Sequence, residues 1–333
     1  MTTATAKPTL GDRWAKAWTK DRRRIIVAAV VAALLVIGLG GLDPEDWFVT
    51  IMRGLATGAI TFLVASGLSL ILGLMDVLNL AHGELFMLGA YLGWTAYIRP
   101  DTTVDLLAPI LITIAPFALW ALWRPLGRRA AALGSRWAGW VLVAVGLGGW
   151  WWAWQMFPLA IWDPTVYAES PITYSLAFDT GTLVPLPAEV FGGPALLAIL
   201  AMLVAASIAA VGLVSFNAAG PSKPSGRAIA ASVASLATGL AILVWREDLV
   251  EALFGMNPTL RFFLAGIVSV VVVSAVGAGV EVALIRPLYD RPIYQLMITL
   301  GFGFILIELV RGVWGRSEFT MPKPPAFNGT GEG

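Results

Sequence analysis

GLATGAITFLVASGLSLILGLMDVLNLAHGELFMLGAY, residues Gly54 to Tyr91, is two apolar runs broken by the polar cluster Asp76, Asn79, His82 and Glu84, which holds the only histidine of the chain. Ionisable groups at membrane depth cost about 2.5 to 3.5 kcal/mol each on insertion scales, so they face a protein interior or a water-filled path. The cluster is therefore a candidate functional site. The runs around it set the fold class, since an apolar stretch of about 17 to 25 residues spans a bilayer as a helix.

Composition agrees. Hydrophobic residues make up 58% of the 333 and charged residues 13%, where soluble domains carry about 25% charged, and the mean hydropathy is +0.79. The expectation is an all-α integral membrane protein with one membrane domain. A net charge of +1 argues against nucleic-acid binding by the chain as a whole. With no cysteine and one histidine there is neither a disulfide nor a plausible metal site, so no metal and no cofactor is expected. The chain has no GxxxxGK[ST] loop, GxSxG, HExxH, CxxC or paired catalytic carboxylates. No catalytic residue is assigned, and an ATP-driven role would need a separate ATPase.

Working outward, apolar runs fall near 25–42, 49–74, 83–98, 105–123, 137–157, 194–214, 228–245, 262–284 and 295–314, which gives about nine spans. A cytoplasmic N-terminus puts 15 of the 22 Lys and Arg inside, including Lys7 to Arg24, Arg124 to Arg136, Lys223, Arg227, Arg286 and Arg291. Most acids, Asp101 and Asp105 among them, then fall outside with Arg99, Arg246, Arg261 and Arg311, and the C-terminus is external. Residues 1–24 form a basic cytoplasmic segment, and 25–42 reads as a retained signal-anchor because Asp43-Pro44-Glu45-Asp46 follows in place of a cleavage site. Segments 47–98, 99–261 (a Trp-rich region of four helices), 262–320 and an irregular tail 321–333 complete the organisation. Trp150, Trp151, Trp152 and Trp154 read as an interfacial aromatic belt, with a cofactor-binding box as the alternative.

Several residues carry two readings. Gly54 with Gly58, and Gly89 with Gly93, have the small-xxx-small spacing of close helix packing. Between those helices the chain must turn near Asp76 to Gly83, and Asn79 and His82 can satisfy the freed backbone groups. Glu84 suits the first turn of the next helix, where the dipole favours a carboxylate. Alternatively Asn79, His82, Gly83 and Glu84 line a solute path, as broken helices do in transporters. Glu281, Arg286 and Pro287 form a cytoplasmic turn in which Glu281 pairs with Arg286 and Pro287 stops the helix. Glu308 lies mid-span and is expected to face the bundle interior near Arg311.

The block Gly73, Leu78, Asn79, Leu80, Ala81, His82, Gly83, Glu84, followed by Met87, Leu88, Gly89, Ala90 and Tyr91, resembles the opening of the permease subunits of branched-chain amino acid ABC transporters. EVALIRPLYDRP, Glu281 to Pro292, is similar to that family's cytoplasmic turn, and ITLGFGFILIELVRGVWG to its next span. The resemblance covers roughly Trp47 to Tyr97 and Phe262 to Asn328. It implies a multi-pass subunit of the bacterial inner membrane that imports branched-chain amino acids or a related small polar solute. Its implied partners are a second permease subunit, ABC ATPase subunits, a periplasmic solute-binding protein and membrane lipid. Two departures stand out. About 160 residues with four extra spans, from Asp105 to Trp245, intervene where the family has a short connection, and the family's ATPase-docking coupling loop does not occur before Gly333. The rival expectations are an accessory membrane scaffold with no transport of its own and a self-sufficient channel or secondary transporter using Asp76, His82, Glu84 and Glu308 as a relay.

Overall fold

The structure, a computed structural model, describes residues 10–40, 43–132, 136–187, 192–217, 220, 222–315 and 319–327. Every α or β element among them is a helix: α1 (Leu10–Leu39), α2 (Pro44–Met75), α3 (His82–Ile98), α4 (Pro100–Ala118), α5 (Trp120–Ala132), α6 (Arg136–Trp154), α7 (Pro164–Glu169), α8 (Pro171–Asp179), α9 (Gly193–Ser215), α10 (Gly226–Val244), α11 (Arg246–Gly255), α12 (Pro258–Val280) and α13 (Pro292–Trp314). Six stretches are long and apolar enough to cross a membrane: Asp46–Leu74, Pro100–Ala118, Gly193–Ser215, Gly226–Val244, Pro258–Leu288 and Pro292–Trp314. The apolar stretch of α1, Arg24–Gly38, is shorter, and α3 has 17 residues.

The chain divides into Met1–Leu74 and Met75–Gly333. In the first unit α2 presents Leu55, Phe62, Leu63 and Leu70 as exposed residues. A helix apolar on all sides needs lipid or other helices around it.

The second unit holds two cores. In one, α3 packs on α12 and α13, around Leu85, Leu88, Trp94, Tyr97, Leu306 and Val310. In the other, α4 packs against α9 and α10, and α9 against α5 and α6, around Ala108, Ile112, Ala198, Ile199 and Met202. The segments 83–98 and 262–314 thus meet in space, while α4, α5, α6, α9 and α10 pack chiefly on one another.

Small residues set the closest crossing. On α6 and α9, a Cβ added at Gly212 would stand 2.8 Å from the Gly139 carbonyl oxygen, and one at Gly146 would stand 2.7 Å from the Ala209 nitrogen. Glycine lets these backbones touch. The glycines singled out in the sequence behave differently: Cβ atoms at Gly54 or Gly58 meet nothing within 4 Å, whereas one at Gly89 would lie 3.3 Å from Ser269 Oγ and one at Gly93 3.5 Å from Ser269 Cβ on α12.

The run 105–123 is two helices in one respect and longer in another. The chain turns at Leu119, where the Pro116 carbonyl accepts from Leu119 N at 3.2 Å and from Trp123 Nε1 at 2.8 Å. At its other end α4 begins at Pro100, because Asp101 and Asp105 are buried inside the helix start instead of solvated in a loop. The four tryptophans divide: Trp151 and Trp152 are exposed, while Trp150 donates to Thr113 Oγ1 at 2.8 Å and packs on Trp154 at 5.0 Å between centroids.

Candidate functional site

The break between α2 and α3 starts at Asp76, whose φ of 53° is left-handed. Asp tolerates this conformation better than most residues because its short polar side chain bonds locally. Residues Val77 to Leu80 are extended or turned, and Val77 and Asn79 are buried. Backbone groups buried with them need partners. Asn79 Oδ1 accepts from Ala81 N at 3.0 Å, closing an Asx turn. Leu78 N donates to Gln295 Oε1 at 3.3 Å and Leu80 N to Thr299 Oγ1 at 3.2 Å. Gln295 Nε2 in turn donates to the Leu288 carbonyl at 2.8 Å, and the Thr299 hydroxyl lies 2.7 Å from the Gln295 carbonyl.

Gln295 and Thr299 are fully buried and one helical turn apart on α13, so a single face of that helix holds the unwound segment. They were not among the sequence candidates. The available signal was two polar residues at i,i+4 in an otherwise apolar span, which is how buried helices place polar contacts. Asn79 does bond the freed backbone, whereas the His82 side chain makes no hydrogen bond among the described residues; α13 takes that role because its side chains arrive from the buried side. His82 is half-buried and Gly83 exposed. Glu84 leans on α13, its Cδ 3.2 Å from where a Cβ of Gly303 would stand, and its Oε2 is buried with no partner. Asn79 and Glu84 are thus both turned to the protein interior, and Gly83 is not.

Leu78 N and Leu80 N depend on one acceptor each. Gln295→Leu is expected to destabilise the chain by about 1 kcal/mol, the net worth of a part-buried hydrogen bond. Hydrogen exchange should show the Leu78 amide losing protection while amides within α9 keep theirs; unchanged protection at Leu78 would refute the anchoring.

At the other end of α12 the helix widens into a π turn over Glu281–Ile285 and tightens to a 3-10 turn over Arg286–Leu288. Arg286 N bonds the Glu281 carbonyl, the five-residue step of a π turn. The ring of Pro287 would clash with the carbonyl four residues back in a continuous α ladder, and the wider turn avoids that clash. The helical path therefore runs one residue past Pro287 before it ends. Glu281 does not pair with Arg286: Tyr289 OH donates to Glu281 Oε1 at 2.6 Å, and this bond pushes the Tyr289 phenol above its ordinary pKa. Glu308 does pair with Arg311, at 2.7 Å, but with side chains 67% and 50% exposed the pair lies on the outside of this chain, not in its interior.

A second polar assembly occupies the end of the bundle where α3 gives way to α4. Arg99, Asp101, Thr102 and Asp105 are all buried. Arg99 Nη2 lies 2.5 Å from Asp101 Oδ2, and Nη1 donates to the Val184 carbonyl at 3.2 Å. Asp101 Oδ2 also accepts from Leu186 N at 2.9 Å. Arg246 grips Asp105 with two bonds, Nε to Oδ1 at 2.7 Å and Nη2 to Oδ2 at 2.8 Å, and Asp105 Oδ2 also accepts from Ala160 N. Hydrogen bonding to Asp105 pushes the Arg246 guanidinium above its ordinary pKa. One turn of α4 thereby ties down residues 160–162, residues 184–186 and the start of α11. No group of acidic or histidine side chains able to hold a metal ion occurs among the described residues.

Six apolar membrane-length helices and an unwound polar segment braced from a neighbouring helix define the class: an all-helical, multi-pass membrane protein. Comparisons with protein-family profiles, with curated proteins and with solved structures give no match.

Proposed function

We propose that the chain is a permease subunit of an ABC importer for branched-chain amino acids or a related small polar solute. The observation that carries this reading is the unwound segment 76–81, fastened to α13 by Gln295 and Thr299 and followed by Glu84, whose buried Oε2 has no partner. Non-helical backbone at membrane depth occurs where it is buried in protein or lines a cavity, and transporters use such breaks at the solute path. The sequence block Asn79 to Glu84 and the turn Glu281 to Pro292 support the same family, and the helices bearing them pack together. The exposed Glu308–Arg311 pair and the bare surface of α2 fit a subunit that sits against other helices.

On this reading α1, α3 and α6 join the six longer stretches as spans, making about nine. The N-terminus is cytoplasmic and the C-terminus periplasmic, in a bacterial inner membrane. ATP hydrolysis resides on separate ATPase subunits, with a second permease and a periplasmic solute-binding protein as further partners. An accessory scaffold is the second reading, favoured by the separate core that α4, α5, α6, α9 and α10 build for themselves.

The test is to purify the complex from its native membrane and assay for a bound ATPase and for uptake. Import predicts a co-purifying ATPase and uptake that falls in Glu84→Gln while assembly persists. A scaffold predicts assembly with uptake unaffected. A chain that never binds an ATPase excludes the import reading.

A further inference from the structure

In the bundle of α4, α5, α6, α9 and α10 the unmatched charge collects at one end. No Asp or Glu occurs between Asp105 and Asp163 or between Glu189 and Glu247. Apart from Arg246, which Asp105 neutralises, the cations of those stretches lie in α5 (Arg124, Arg128, Arg129), at the start of α6 (Arg136) or between α9 and the first turn of α10 (Lys223, Arg227). The fold draws α5 and the α9–α10 connection together. Arg128 Nη2 donates to Ser222 Oγ, and a Cβ on Gly220, whose φ is 100°, would stand 2.7 Å from Arg124 Nη1. The connection is thus seated on α5, with Lys223 beside the anchored Ser222. Arg128, Arg129, Lys223 and Arg227 are exposed, so their donors are open to a ligand. Arg227 adds charge to the start of α10, where the helix dipole is already positive and favours an anion.

One turn back along α5 from this basic end, an apolar groove of about 290 Å³ runs between α5 and α9. Trp123 and Leu126 form one wall, and residues of α9 from Leu203 to Val211 form the other, about 12 Å of helix. Its two polar lining side chains are already used: Trp123 Nε1 donates to the Pro116 carbonyl at 2.8 Å and the Ser207 hydroxyl to the Leu203 carbonyl at 2.6 Å. A peptide or a sugar laid there would leave its own polar groups unsatisfied, whereas a hydrocarbon chain needs no partner. Just past the groove the helices close, since a Cβ on Gly127 would meet Val214 Cγ1 at 2.8 Å. Arg129 follows Leu126 by three residues and so shares its face of α5. α9 is itself of membrane length, so the groove opens to hydrocarbon and the basic end to the headgroups.

We infer that this corner binds an anionic phospholipid, its phosphate among Arg128, Arg129 and Lys223 and one acyl chain in the groove between α5 and α9. Clusters of Lys and Arg at membrane ends, and basic pockets between spanning helices, select anionic headgroups, and the long side chains reach them by extending along the surface. No acid in these helices stands by to repel the phosphate. The assignment rests on the membrane class of the chain and not on the importer reading.

The full chain, delipidated in a neutral detergent, is titrated with phosphatidylglycerol and with phosphatidylcholine of the same acyl chains, and bound lipid is counted by native mass spectrometry. Phosphatidylglycerol should bind about tenfold more tightly. The double variant Arg129→Gln with Lys223→Gln leaves the bond between Arg128 and Ser222 in place and should remove most of that preference, with the lipid-free unfolding midpoint unchanged because both side chains are exposed. Val204→Phe puts a ring into the groove from an exposed position and should weaken both lipids about equally, which separates the acyl-chain contact from the headgroup contact. Equal binding of the two lipids, a preference that survives the double variant, or affinity unmoved by Val204→Phe would overturn the assignment. Displacement of the lipid by glycerol 1-phosphate would make the patch a free-phosphate site, and displacement by hexaglutamate would make it the dock of an acidic protein; either result also overturns it. No ATPase enters the assay, so its outcome is independent of the importer reading.

Discussion

Asp105→Ala is expected to lower the unfolding free energy by about 3 to 5 kcal/mol, the usual cost of removing one member of a buried ion pair. Asp105 has a side chain only 3% exposed, and Arg246 one only 13% exposed. Removing the carboxylate leaves the guanidinium without its two acceptors and also deprives Ala160 N of its bond. Asp105→Asn should cost less, since its carbonyl oxygen still accepts one bond. The double change Asp105→Leu with Arg246→Met should recover much of the loss, because well-packed apolar residues often replace a buried pair without penalty. Unfolding midpoints in detergent, followed by tryptophan fluorescence, give all three values. If the double variant is no better than Asp105→Ala, the penalty does not come from the stranded charge.

Gly146→Val is expected to be as damaging, by a different mechanism. A Cβ at residue 146 would stand 2.7 Å from both the nitrogen and Cβ of Ala209 and 2.8 Å from the Ala205 carbonyl oxygen. Backbone cannot rotate away as a side chain can, so α6 and α9 must separate. Overpacking costs about 1 to 3 kcal/mol where neighbours adjust, and more where they cannot. The companion change Ala209→Gly should rescue little, because it removes one methyl and leaves the backbone contacts in place. Full rescue would show that the crossing has more slack than these distances imply. Gly54→Val is the control, since its Cβ meets no atom within 4 Å, and it should leave the stability of the isolated chain unchanged.

The sequence made some of this legible. Long apolar runs with few charges specify helices of membrane length, because hydropathy and helix length are properties of the run itself. The break after Met75 was visible as a polar cluster between two such runs, and the role of Asn79 was readable because an Asx turn closes within two residues. The partners of that break were not. Gln295 and Thr299 lie 217 and 219 residues away from Leu78 and Leu80, and their i,i+4 spacing signals a buried polar pair without saying which backbone it braces. The burial of Asp101 and Asp105 was not legible for the same reason: it depends on Arg99 and on Arg246, 141 residues beyond Asp105. Glu308 went the other way, since in this chain its helix turns it outward.

What the sequence determined by itself is the class of the molecule, helical and built to cross a membrane, because apolar transfer energy accumulates residue by residue along a run. What only the tertiary structure decided is which polar groups are satisfied and which are not: the bracing of residues 76–81 by α13, the grip of Arg246 on Asp105, and the buried Glu84 Oε2 without a partner. The cost of burying a charge is set by whether a partner lies within hydrogen-bond reach, and those partners are brought there by helices far apart in the chain.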